Sequence, residues 1–251
     1  MRSKVHPTAI VGKGVSLGES CCIGAYSVLE GRVKVGSGSF IAENVTIRGN
    51  VNIRERCYVG ANSAIGFPTR NSLTKILKGA DASEVTAPVR IGSDVSIRTN
   101  CTVYEDVSLG SKVRFGHNVM VREKVRVGEG TLLGTNSVID GHCNIGSNVS
   151  IQSGVYVCTY TQVEDYVFMG PHCVMTNDKY VMQSPFKLKG PILRRGASVG
   201  ANALIMPGVE VGEGSVIGSG AVVTKKVPRR VIVVGVPGKI SKKVPASWHR
   251  P

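Results

Sequence analysis

FGHNVMVREKVRVGEGTLLGTNSVIDGHCNIGSNVSIQSGVYV, residues 115–157, decides the fold. Phe115, Val121, Val127, Leu133, Ile139, Ile145, Ile151 and Val157 recur here every six residues. Four places after each comes a small or β-branched residue: Val119, Val125, Thr131, Ser137, Cys143, Val149 and Val155. A fixed short period marks a repeat architecture, in which each unit buries its apolar face against its neighbours.

Working outward, the same step of six connects Val11 to Ile65, Ile91 to Met175 and Leu193 to Val223. The third residue after the aliphatic one is often Gly, Asn or Asp, which tolerate positive φ, so each hexad is expected to hold one tight corner. A short strand, a corner and a return after six residues describe an all-β, parallel β-solenoid. Its coil closes after three hexads, or 18 residues, which gives about ten coils spaced by about 4.8 Å. Two stretches interrupt the period. Residues 67–90 shift its register, and residues 178–190 leave the pattern but return in register. Both are expected as loops thrown out from the solenoid, and long loops on a rigid scaffold are where binding residues tend to sit. The expected organisation is a β-helix domain over 1–228 and an extended basic tail over 229–251.

Composition agrees with one regular architecture: 31 glycines, 5% aromatic residues, and no amphipathic helical run of ten residues among 251. Five of the seven cysteines (Cys21, Cys57, Cys101, Cys143, Cys173) occupy the small inward position and act there as small hydrophobes. With no CxxC pair, neither a structural zinc site nor a disulfide framework is indicated. The segment from Met1 to Ile10 has no apolar h-region, and no apolar run is long enough to span a bilayer, so a cytoplasmic protein is expected, with no membrane partner. The net charge of +14 points to phosphate-bearing small molecules. Lys and Arg are spread along the chain without a compact basic helix or stacking aromatics, which argues against nucleic acid.

With the hexads written out, the chain resembles the left-handed β-helix acyltransferases of the hexapeptide-repeat family. The stretches that carry the likeness are VEDYVFMGPHCVMTNDKY (163–180), GASVGANALIMPGVEVGEGSVIGSGAVVTKKVP (196–228) and VVGVPGK (233–239). The resemblance implies a left-handed coil, a homotrimer with active sites between subunits, and acetyl-CoA as co-substrate. It places acetyl-CoA near Ala201, Gly218, Ala221, Lys225 and Lys239, with no metal. Within the family the likeness is to enzymes that acetylate an amino group on a nucleotide-linked sugar. Sugar-hydroxyl acetyltransferases carry an Asn-His pair in the aligned loop, whereas this chain reads Asn177-Asp178. A hydroxyl needs a base, whereas an amine attacks as the free base and sheds its proton afterwards. One departure cuts the other way: Gln152 is followed by Ser153 and Gly154, where amino-sugar acetyltransferases often carry two asparagines.

Residues 18 apart stack on one edge of the solenoid, which lines up His142, Tyr160 and Asp178, and separately His117 and Asn118 with Thr99 and Asn100. His142, Asn177, Asp178 and His117 are the candidates to meet the reacting groups; Arg98, Arg122, Gln152 and Tyr160 are the candidates for the acceptor and its diphosphate. His142 and His172 also stand at the corner position, where histidine accepts positive φ. Three further readings compete. One is an O-acetyltransferase that uses His117 or His142 as base. Another is a zinc enzyme like the γ-class carbonic anhydrases, which need a histidine where this chain has Arg122. The last is a non-catalytic scaffold.

Overall fold

The computed structural model describes residues 3–248, which fall into two compact units, 1–129 and 130–251. In both units the two inward positions of each hexad are buried: Ile97, Val103, Val107 and Phe115 in the first, and Ile139, Cys143, Ile151 and Met169 in the second. Strands are mostly two residues long, and away from the interruptions and the C-terminal end they pair in parallel with the strand 18 residues on, as in Cys22↔Phe40, Ser96↔Arg114 and Leu132↔Ser150. Burying one branched aliphatic side chain contributes about 1.5–3 kcal/mol, so the repeated inward positions supply most of the drive to stack.

Corners are built as the sequence predicts. Asn100, Asp106, Asn118, Asn136 and Asn148 hold φ between 55 and 60°, and Tyr26, Arg56, Lys124, His142 and His172 hold φ between 55 and 61°. The left-handed conformation is thus imposed by coil closure, not only selected by residue preference. Buried hydroxyls and thiols at the second inward position tie one coil to the next. Ser27 Oγ donates to the Ala42 carbonyl at 2.7 Å and accepts from Val45 N–H at 3.1 Å, and Cys143 Sγ donates to the Cys158 carbonyl at 3.1 Å. All seven cysteines are free thiols, and the five in the inward register are buried.

The coil count exceeds ten. One face carries six parallel rungs in the first unit, from Lys4–Val5 to Arg114–Phe115, and six in the second, from Leu132–Leu133 to Val231–Val234. The extra rungs lie outside the strict hexad run. At the N-terminal end the register holds but burial does not: Val11 is 37% exposed, because the first coil has a neighbour on one side only.

The two interruptions differ in build. Ile53 pairs with Ile91, 38 residues on instead of 18, so twenty extra residues are extruded. They are not plain loop: helix α1 (Arg70–Leu77) is capped by Thr69 and helix α2 (Ala82–Val85) by Asp81. Both roots of this insert are held by Glu105, 2% exposed, whose carboxylate accepts from Thr69 N–H at 2.7 Å and from Ala87 N–H. Thr86 packs onto Gly49, at φ +88°, where a Cβ would meet its Oγ1 at 2.4 Å. In the second unit Met175 pairs with Ile205, 30 residues on, and the twelve extra residues form an irregular loop over 178–190. After Pro228, Val231–Val234 pairs antiparallel to Lys239–Lys243.

Candidate active site

The second unit gathers polar side chains on one edge. His142 takes φ 61° at its corner and Tyr160, one coil on, takes φ 69°; their rings meet at 5.1 Å, tilted by 46°. Coil closure fixes both backbones, so the two rings are presented outward by geometry and not by their own preference. Among the described residues no side-chain hydrogen bond involves His142. Asn177 lies on the same edge and donates from Nδ2 to the Thr159 carbonyl at 3.3 Å.

Asp178 is placed differently from its neighbours. Its two carboxylate oxygens accept from Tyr180 N–H at 2.9 Å and Met182 N–H at 2.8 Å, so the group turns the extruded loop back on itself. In that loop Val181 (φ 50°) and Met182 (φ 62°) hold left-handed backbone, which is strained for a β-branched residue. Lys189 N–H closes the loop onto the Asn177 carbonyl at 2.9 Å.

Sequence reasoning missed Asp140. Its Oδ2 accepts from Thr159 Oγ1 at 2.9 Å and Tyr156 Oη at 3.2 Å, which anchors the coil edge beside His142. The 18-residue rule aligns Asp140 with Cys158, so the diagonal contacts to residues 156 and 159 were invisible to it. Gln152 donates from Nε2 to Ser150 Oγ at 2.8 Å, within its own coil.

The remaining candidates are in the first unit. His117 Nδ1 lies 2.7 Å from Thr99 Oγ1, one coil away. Arg122 is held by Glu123 at 3.1 Å and lies over the Tyr104 ring at 5.5 Å, whereas Arg98 is exposed and makes no ion pair. Among the described residues no group of three His, Cys, Asp or Glu side chains is arranged to hold a metal ion, and no helix is long and apolar enough to cross a membrane.

The positions expected to line an acyl-donor groove form a low wall. Ala201 and Gly218 are half-buried at one turn edge, Gly220 Cα faces open space, and Ala221 is buried. Lys225 and Lys239 are exposed and make no ion pair. Side chains this small let a thin chain lie against the backbone, and two free ammonium groups suit its phosphates.

Residues 190–225 match the family described as bacterial transferase hexapeptide (six repeats), and residues 124–159 match the hexapeptide repeat of succinyl-transferase. Each match covers 36 residues, so these two stretches carry recognisable hexapeptide repeats. A serine acetyltransferase of Buchnera aphidicola is 47% identical over 58 residues, 23% of this chain and 22% of the relative. An acyl-[acyl-carrier-protein]–UDP-N-acetylglucosamine O-acyltransferase of Thermodesulfovibrio yellowstonii is 26% identical over 166 residues, 66% of this chain and 57% of that one. The hexapeptide-repeat chain therefore spans only part of these curated relatives. Among solved structures, LpxA of Acinetobacter baumannii superposes with a TM-score of 0.57 at 18% identity, over 94% of this chain and 73% of that one. The fold is thus a left-handed parallel β-helix.

Proposed function

We propose that the protein transfers an acetyl group from acetyl-CoA to an amino group of a sugar carried by a nucleoside diphosphate, as a homotrimer with sites between subunits. The observation that carries this reading is the state of Asp178. Hydroxyl-transferring members of the family have a histidine base in this loop, and here the residue is a carboxylate whose oxygens are both engaged by Tyr180 and Met182 N–H. A loop without a free base suits a nucleophile that needs none, and a neutral amine is one.

In this scheme Ala201, Gly218 and Ala221 flank the pantetheine, while Lys225 and Lys239 face the donor phosphates. Asn177 and Tyr160 orient the acceptor. The amine nitrogen bonds to the thioester carbon and the carbon–sulfur bond breaks. The nitrogen, positively charged after attack, gives its proton to His142, which passes it to the departing thiolate and is neutral again. Placement of the two substrates contributes most of the rate, as in other reactions made effectively intramolecular.

Release of free CoA thiol, followed with acetyl-CoA and a panel of amino-sugar and hydroxyl-sugar nucleotides, tests the reading. Turnover with the amino sugars alone supports it; turnover with hydroxyl sugars alone overturns the N-acceptor. His142→Asn keeps a residue that tolerates the φ of 61° and is expected to lower kcat about 10²-fold.

A further inference from the structure

At the C-terminal end of the second unit lies a cavity of about 440 Å³, within the range of small-molecule sites. Its walls include Arg195, Arg229, Arg230, Glu213, Val244 and Trp248. Trp248, 53% exposed, is the chain's one tryptophan. It is carried by a strap whose backbone is anchored: Val244 N–H donates to the Arg230 carbonyl at 2.9 Å and Trp248 N–H to the Pro245 carbonyl at 3.0 Å. Arg230 Nη2 donates to the Pro245 carbonyl of this strap at 3.5 Å.

Charge in the cavity is uneven. Arg194, just outside it, is committed to Glu164 at 2.7 Å and Glu210 at 2.9 Å. Arg195 is shared with Asp165 at 3.2 Å and stacks on Tyr166 at 4.5 Å. Among the described residues Arg229 and Arg230 form no ion pair. Two guanidiniums without a carboxylate partner there, in one cavity with an exposed indole, combine a forked phosphate grip with a stacking surface for a planar base. Glu213 adds an acceptor suited to ribose hydroxyls.

The cavity is built on the turns at 195–196, 213–214 and 229–230. The donor positions Ala201, Gly218 and Ala221 lie on the far side of strands Ser198–Val199 and Val216–Ile217. We propose that this cavity binds a nucleoside diphosphate at a site of its own, apart from the acyl donor. The base lies on Trp248, the phosphates on Arg229 and Arg230 with Arg195 at the rim, and the ribose by Glu213. The inference does not depend on the acyl-transfer reading.

The single tryptophan is its own reporter. Titration of the full chain with ADP and with UDP is expected to change Trp248 fluorescence saturably for at least one of them, with the same ligand giving a calorimetric heat. The Arg229→Ala/Arg230→Ala variant should weaken that binding at least tenfold at unchanged thermal midpoint. Trp248→Phe, followed by calorimetry, should weaken it less, because a stacking ring remains. Acetyl-CoA should neither displace the diphosphate nor bind more weakly to the double-arginine variant. Absence of both a saturable fluorescence change and heat would overturn the proposal. So would one-for-one displacement by acetyl-CoA, with acetyl-CoA affinity falling in the double variant; that result would make the cavity part of the donor site.

Discussion

Cys143 and Cys158 show how one residue type changes chemistry with its place in the hexad. Burial pushes the Cys143 thiol up to about 12, opposed by a backbone hydrogen bond at Thr161, and pushes Cys158 up to about 11. Cys173 is pushed up to about 12 by the same burial. A thiol held protonated at neutral pH is a poor nucleophile. In the native protein at pH 7.5 only the half-buried Cys22 should react quickly with a thiol reagent, the other six following only on unfolding; rapid release from more than two sites would contradict the inward placement. His142 illustrates the opposite case. Its corner position explains its backbone without assigning it any chemistry, and the exposed edge shared with Tyr160 and Asn177 makes it worth testing. Asp140 could not be found from the register at all, because its partners lie on a diagonal of the coil and not straight above it.

The insert over 67–90 depends on a single buried carboxylate. Burial alone would raise the pKa of Glu105, but hydrogen bonds from Ser72, Thr69 and Ala87 outweigh it, and the carboxyl titrates below its ordinary value. A group depressed in the folded state adds stability above the unfolded pKa, near 4.5, and loses it as pH falls through the folded value. Glu105→Gln removes the charge and turns one acceptor into a donor facing an N–H. It should cost about 2 kcal/mol in urea unfolding at pH 7, with the gap to the native protein narrowing below about pH 4. A gap independent of pH would mean that the carboxylate is not what holds the insert. The second extruded segment carries strain instead. Val181→Gly relieves a β-branched residue at positive φ and should raise stability by about 1 kcal/mol or leave it unchanged after the entropy cost of glycine; a clear loss would show that the valine side chain packs against something.

For the whole molecule, the reading makes a stoichiometric prediction. Native mass spectrometry should show a trimer that takes up three acetyl-CoA, and a monomer binding none would remove both the oligomer and the intersubunit site. The fold itself was legible before any coordinates, because a period of six with two inward positions repeats a local rule: each hexad specifies its own strand, corner and buried pair. The sequence by itself therefore determined the solenoid, the inward register of five cysteines, the corner positions and the presence of two interruptions in the period. Only the tertiary structure decided the rest. It showed that the first insert holds two helices clamped by Glu105, that Asp178 spends its carboxylate on its own loop, that Asp140 anchors the edge beside His142, and that Trp248 lines one cavity with Arg229 and Arg230. The physical reason is that a repeat is written in neighbours six and eighteen residues apart. The insert and the segment bearing Trp248 follow no hexad, and the contacts of Asp178 and Asp140 join groups whose spacing matches no period.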